Sequence, residues 1–89
     1  MTPDNSLRKY IKDTNDIELF YKDKEHYTLL SMVSKEYNNT VLYDIGSYKG
    51  LSAIALSSNQ NNLVVSYDIE YLLKVDRPNN VEFRIGNFY

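Results

Sequence analysis

Cysteine and tryptophan are absent from this chain, and glycine, proline and histidine are scarce, at three, two and one residue. Without cysteine there is no disulfide framework, no thiolate metal site and no cysteine nucleophile. The lone histidine, His26, cannot make a metal site by itself, and no carboxylate cluster at ligand spacing accompanies it. Nor can a Ser-His-Asp triad be assembled, because no nucleophile elbow is present. No apolar run approaches the roughly 20 residues that span a bilayer. The N-terminus lacks the apolar segment of a secretory signal. These absences lead to the expectation of a soluble, cytoplasmic protein with no membrane partner.

A large excess of either charge is missing too. A formal net charge of -2 over 89 residues leaves no clustered basic face, so nucleic acid is not an expected partner. The mixed charges around Lys22 alternate in sign and read as a solvated helix face. The length allows one small domain, whose buried share of surface is modest. Residues 1–22 read as an N-terminal extension of that domain. Residues 1–13 are polar and hold Pro3, with Leu7, Tyr10 and Ile11 as candidates for a short helical turn. Ile17, Leu19, Phe20 and Tyr21 read as a segment that packs on the domain or lids it.

What is present is a regular alternation. From Asp23, a candidate N-cap followed by Glu25 in the first turn, Tyr27, Leu30, Val33 and Tyr37 recur at steps of three and four. Leu29 and Met32 widen that stripe, and Asn38-Asn39 ends it. Val41-Leu42-Tyr43-Asp44-Ile45 is a short apolar run before Gly46 and reads as a buried strand. Residues 51–58 then read as a helix with Leu51, Ile54, Ala55 and Ser58 on one face. After an Asn-rich polar break, residues 63–69 read as a second strand ending in an acid. Residues 71–75 suit a short helix and Pro78-Asn79-Asn80 a turn. Val81-Glu82-Phe83-Arg84-Ile85 alternates as a third strand, closed by Gly86-Asn87. Strands alternating with helices predict an α/β fold with a parallel sheet and helices on both faces.

Three polar features then fall at the carboxyl ends of consecutive strands, where ligands bind in open α/β sheets. They are Asp44-Ile45-Gly46-Ser47-Tyr48-Lys49-Gly50, Asp68 with Glu70 behind it, and Gly86-Asn87. Gly46 and Gly50 allow a tight turn and close backbone approach to a ligand. Asp68 follows Gly46 by about 20 residues, the spacing at which an acid accepts hydrogen bonds from ribose hydroxyls. Asn87 can both donate and accept, as the edge of an adenine ring requires. The dinucleotide pattern G-x-G-x-x-G fails, because its later glycines would fall on Tyr48 and Leu51, and Lys49 belongs to no phosphate loop. Asp44 would repel a pyrophosphate and attract a cationic ligand end. An adenosine carrying an ammonium and a sulfonium, S-adenosylmethionine, meets both conditions.

The stretch Asp44-Ile45-Gly46-Ser47-Tyr48-Lys49-Gly50-Leu51-Ser52 resembles the first motif of class I S-adenosylmethionine-dependent methyltransferases. It is most similar to the branch with a tyrosine in the loop, acting on small molecules or sugars. Residues 64–69 resemble the second motif and residues 81–87 the third, so the likeness covers roughly half of the chain. The resemblance implies that Asp44, Gly46 and Gly50 line the methionine part of the cofactor, with Ser47 and Tyr48 beside it. It implies that Asp68 holds the ribose and Asn87 the adenine. Two positions depart from the family pattern: Tyr48 stands where a third glycine is usual, and Asn87 where an aspartate is usual. The family sheet has seven strands in a Rossmann-like fold, and this chain supplies the first three, in the order 3-2-1.

The expected function is therefore methyl transfer from S-adenosylmethionine to a small-molecule or sugar acceptor, with no residue nameable as the catalytic base. The first strand would be central in the full sheet, and here one of its edges would be bare. The expectation is thus a truncated chain, a degraded gene, or a chain completed through that edge by a second copy or a partner. The alternative function is a non-catalytic cofactor-binding fragment or an interaction module.

Overall fold

A computed structural model of the chain describes residues 3–22, 26–46, 50–68 and 74–86. A short 3-10 turn at Asn5–Tyr10 opens the chain. Helix α1 (Thr14–Lys22) and helix α2 (His26–Glu36) follow, then strand β1 (Val41–Ile45), helix α3 (Leu51–Leu56), strand β2 (Leu63–Asp68) and strand β3 (Val81–Ile85). The result is a small α/β domain with a three-stranded parallel sheet flanked by helices. The sheet order β1-β2-β3 is the expected 3-2-1 order read from the other edge. Asp23 and Glu25, and the helix expected over residues 71–75 up to residue 73, lie outside the described residues. Val75 forms an antiparallel bridge with Ile11. Among the described residues no helix is long and apolar enough to cross a membrane.

Local chemistry explains the element ends. Asp13 caps α1, its carboxylate accepting the N–H groups of Asn15 at 2.8 Å and Asp16 at 3.3 Å, two donors that lack intrahelical partners. Asn39 takes the left-handed conformation, φ 55°, between α2 and β1. The turn before β3 is closed by the Val81 N–H on the Pro78 carbonyl at 3.1 Å.

Helix α3 is the centre of the molecule. Leu51, Ala53, Ile54, Ala55 and Leu56 are all buried, as befits a helix apolar all round. Its Leu51, Ile54 and Ala55 pack with Leu7, Ile11 and Phe20, so the first 22 residues supply core side chains. Phe20 is fully buried, with its ring stacked on Tyr27 at 5.2 Å and meeting Tyr21 edge-on at 5.1 Å. The opposite side of α3, Ala53 and Leu56, packs on Val64 of β2 and Val81 of β3.

Two expectations are corrected here. The apolar stripe of α2 does not supply its buried face. Thr28, Ser31 and Ser34, at steps of three, are buried, while Leu29 (58% exposed), Met32, Val33 and Tyr37 face outward. The reason is close backbone approach: small side chains let Ser31 Oγ donate to the Ala55 carbonyl at 3.2 Å and Ser34 Oγ to that of Leu56. Only Tyr27 and Leu30 of the predicted stripe reach the core, half-buried. Strand β1 is also only half-covered. Leu42 and Asp44 lie toward α3, whereas Tyr43 (62% exposed) and Ile45 (60%) lie on a sheet face over which no helix packs among the described residues. Among the described residues, the sheet packs against α3 through Leu42, Val64 and Val81.

The Asn-rich break turns out to be a buried joint. Asn62, 2% exposed, donates from Nδ2 to the Ser34 and Tyr37 carbonyls, both at 2.9 Å, and accepts the Thr40 N–H at 3.1 Å. Asn59 Nδ2 donates to the Tyr37 carbonyl at 2.6 Å, and Asn80 Nδ2 donates to the carbonyls of Ser57, Asn59 and Asn62. The orphan carbonyls at the ends of α2 and α3 are thereby satisfied at the amino-terminal end of the sheet. Replacing Asn62 by Ala leaves the Thr40 N–H without its acceptor and two carbonyls with fewer donors. The expected loss in urea unfolding is about 1–3 kcal/mol, against less than about 0.5 kcal/mol for Asn61→Ala at the exposed neighbour.

Tyr21 ties α1 to the opening turn by donating to the Asp4 carbonyl at 2.8 Å. Burial pushes its phenol pKa above the ordinary 10.0, with Arg8 opposing and Asp4 assisting. The folded chain thus holds the phenol proton more tightly than the unfolded chain does. The linked stability is present below pH 10 and lost as pH climbs through the raised native value. A Tyr21→Phe variant should lose about 1 kcal/mol at neutral pH, and its alkaline unfolding curve should lack this component.

Candidate functional site

Parallel pairing brings the three strand ends together. Ile45 lies opposite Tyr67, and Asp68 opposite Ile85. The Gly46 N–H donates to the Tyr67 carbonyl at 2.7 Å, and the Gly86 N–H to the Asp68 carbonyl at 2.8 Å. Each glycine therefore closes its strand while still bonded to β2. Gly46 has φ +83° and Gly50 φ +95°, left-handed values that a side chain resists, so both turn residues read from the sequence need to be glycine. Gly50 leads directly into α3. Ser47, Tyr48, Lys49, Glu70 and Asn87 lie outside the described residues.

Side-chain alternation sets Asp44, Ser66 and Asp68 on the sheet face that carries α3, at the carboxyl end of β1 and β2. Ser66, fully buried, donates from Oγ to Asp44 Oδ2 at 2.7 Å. Ser52, on the first turn of α3, donates to the same carboxylate, 3.1 Å from each oxygen. Among the described residues Asp44 has no ion pair with Lys or Arg, and its carboxylate is oriented by the two serine hydroxyls. Asp68 is half-buried at the neighbouring strand end. Of the residues singled out in the sequence, Asp44, Gly46, Gly50 and Asp68 thus share one end of the sheet.

Sequence reasoning missed Ser52 and Ser66. Alternation along β2 marks Ser66 as lying on the same face as Val64, but only the register brings it opposite Asp44. It also missed the triad on the other face. There Arg84 forms two hydrogen bonds with Glu82, at 3.0 and 3.2 Å, and donates to Tyr67 Oη at 2.6 Å, with its guanidinium over the Tyr67 ring. The bonds to Glu82 and then Tyr67 hold the guanidinium proton more firmly than usual, outweighing a small burial effect. His26 is exposed, with its ring against Tyr27, and no metal-holding cluster of His, Cys, Asp or Glu occurs among the described residues. A cavity of about 240 Å³ lined by Tyr10, Gln60, Asn79 and Asn80 lies where the strands begin, away from Asp44 and Asp68.

No protein-family model, no curated protein and no solved structure matches this chain.

Substituting Gly46 by Ala tests the turn. A Cβ there would meet no atom within 4 Å, so the cost is backbone conformation alone. The expected destabilisation is about 1–2 kcal/mol in denaturant unfolding.

Proposed function

We propose that this chain forms the cofactor-binding front of a Rossmann-like, class I S-adenosylmethionine-dependent methyltransferase, acting in the cytoplasm on a small-molecule or sugar acceptor. One observation carries the reading: Asp44, Gly46, Gly50 and Asp68, distant in sequence, meet at the carboxyl end of one parallel sheet, the end at which open α/β sheets take ligands. The residues suit such a cofactor. Gly46 leaves open space where a side chain would stand. Asp44 offers a carboxylate that no cation neutralises among the described residues, facing the end where an ammonium would lie.

When bound, the cofactor supplies a sulfonium methyl group that an acceptor oxygen or nitrogen displaces directly. On this reading Asp44 attracts the cationic amino-acid end, Gly46 and Gly50 let the backbone come close to it, and Ser47 and Tyr48 flank it. Asp68 accepts the ribose hydroxyls, and Asn87 meets the adenine edge. The chain's own contribution to rate is then alignment of cofactor with acceptor, and none of its residues is assigned as the base.

A second reading is supported by a separate observation. Strand β1 is an edge of the sheet, and its Val41, Tyr43 and Ile45 are exposed on one face. An apolar edge strand invites pairing with another chain, which favours an interaction module completed by a partner. Concentration-dependent association in sedimentation, without cofactor binding, would favour that module.

Calorimetric titration with S-adenosylmethionine and with its demethylated product separates the two. Wild-type chain should bind both, and Asp68→Ala should bind about 10- to 100-fold more weakly, the value of hydrogen bonds to a charged group. A folded wild-type chain that binds neither ligand would overturn the cofactor reading.

A further inference from the structure

Among the described residues two hydroxyls reach Asp44, and both come from residues with no charge to contribute. A carboxylate has about four acceptor positions, and each serine has a single proton to donate. Ser66 spends its proton on Oδ2, at a distance typical of a charge-assisted bond, and Ser52 divides its proton between the two oxygens. Among the described residues, these bonds use about half of the accepting capacity of Asp44. The two donors also approach from different elements, Ser66 from the neighbouring strand and Ser52 from the helix that follows the loop. Fixed from two directions, the carboxylate cannot rotate without breaking a bond. A lysine or arginine at either position would have held it as well but would have cancelled its charge.

We propose, on the reading of this cleft as an S-adenosylmethionine site, that Ser66 and Ser52 are positioning residues that aim Asp44 at the ligand's ammonium-bearing end and so set selectivity for that end. Their effect belongs to the cationic part of the ligand and leaves the adenosine part untouched.

The test is titration of wild type, Ser66→Ala, Ser52→Ala and Ser52→Thr with two probes, S-adenosylmethionine and plain adenosine, which lacks the ammonium and sulfonium. Each alanine variant should bind S-adenosylmethionine about 10-fold more weakly while its affinity for adenosine stays within about 2-fold of wild type. Ser52→Thr, which keeps the hydroxyl, should restore binding. Ser52 is only half-buried, so its variants remain informative if Ser66→Ala fails to fold. If wild type binds both probes and the alanine variants lose both equally, or lose neither, the positioning role is overturned while the cofactor reading stands. If folded wild type binds neither probe, the cofactor reading falls and this role falls with it.

Discussion

The amide of Asn62 is the interaction on which the rest of the structure hangs. It sits where α2 ends, β1 begins, α3 has just ended and β2 begins, and it serves these segments at once. Its oxygen accepts the Thr40 N–H, while the Leu63 N–H takes the Thr40 carbonyl at 3.0 Å, so the β1–β2 ladder is extended by one step. Its nitrogen satisfies carbonyls that α2 cannot satisfy itself. Asn59 adds a further donor to the Tyr37 carbonyl after α2, and Asn80 donates to the Ser57 carbonyl after α3 and to the Asn62 carbonyl before β2. Buried polar groups are tolerable when partnered, and the buried Asn62 amide has a partner on both its nitrogen and its oxygen.

That joint fixes one end of the sheet and leaves the other for chemistry. The amino-terminal ends of the strands are closed by carboxamides and serines. The carboxyl ends carry Asp44, Gly46, Asp68 and Gly86. Between them lies α3, which α2 approaches through its small serines closely enough for their hydroxyls to reach the Ala55 and Leu56 carbonyls. Dispersion and hydrogen bonding thus act on the same contact, and the helix that packs the core also delivers Ser52 to Asp44.

The exposed apolar side chains form the counterpart of this arrangement. Leu29, Met32 and Val33 on α2, Tyr37 just after it, and Val41, Tyr43 and Ile45 on β1 are exposed. Isolated exposed apolar residues are ordinary, but a set on one edge strand and the helix before it is the pattern of surfaces that are covered by something. The second functional reading draws on the β1 part of this set, because a partner would meet that edge.

Much of the layout was readable from local patterns. Val41–Ile45, Leu63–Asp68 and Val81–Ile85 are strands because short apolar or alternating runs are bounded by turn residues, and Gly46 and Gly50 announce left-handed turns. Asp44, Gly46, Gly50 and Asp68 were legible as a set because parallel strands bring such positions to one end. Other features were hidden by the same locality. The apolar stripe of α2 misled, because a helical pattern shows which residues share a face but not which face meets a neighbour. The serines at 31 and 34 won that contact through hydrogen bonds to α3 that no spacing encodes. Ser66 became the partner of Asp44 only through strand register, and Asn62 became a keystone only because α2 and α3 end beside it. Backbone preference over a few neighbours settles the three strands, helices α2 and α3, their order and the residue types at the strand ends, but not helix α1. Tertiary structure alone decided which polar groups are buried together, since that depends on packing between segments far apart in the chain.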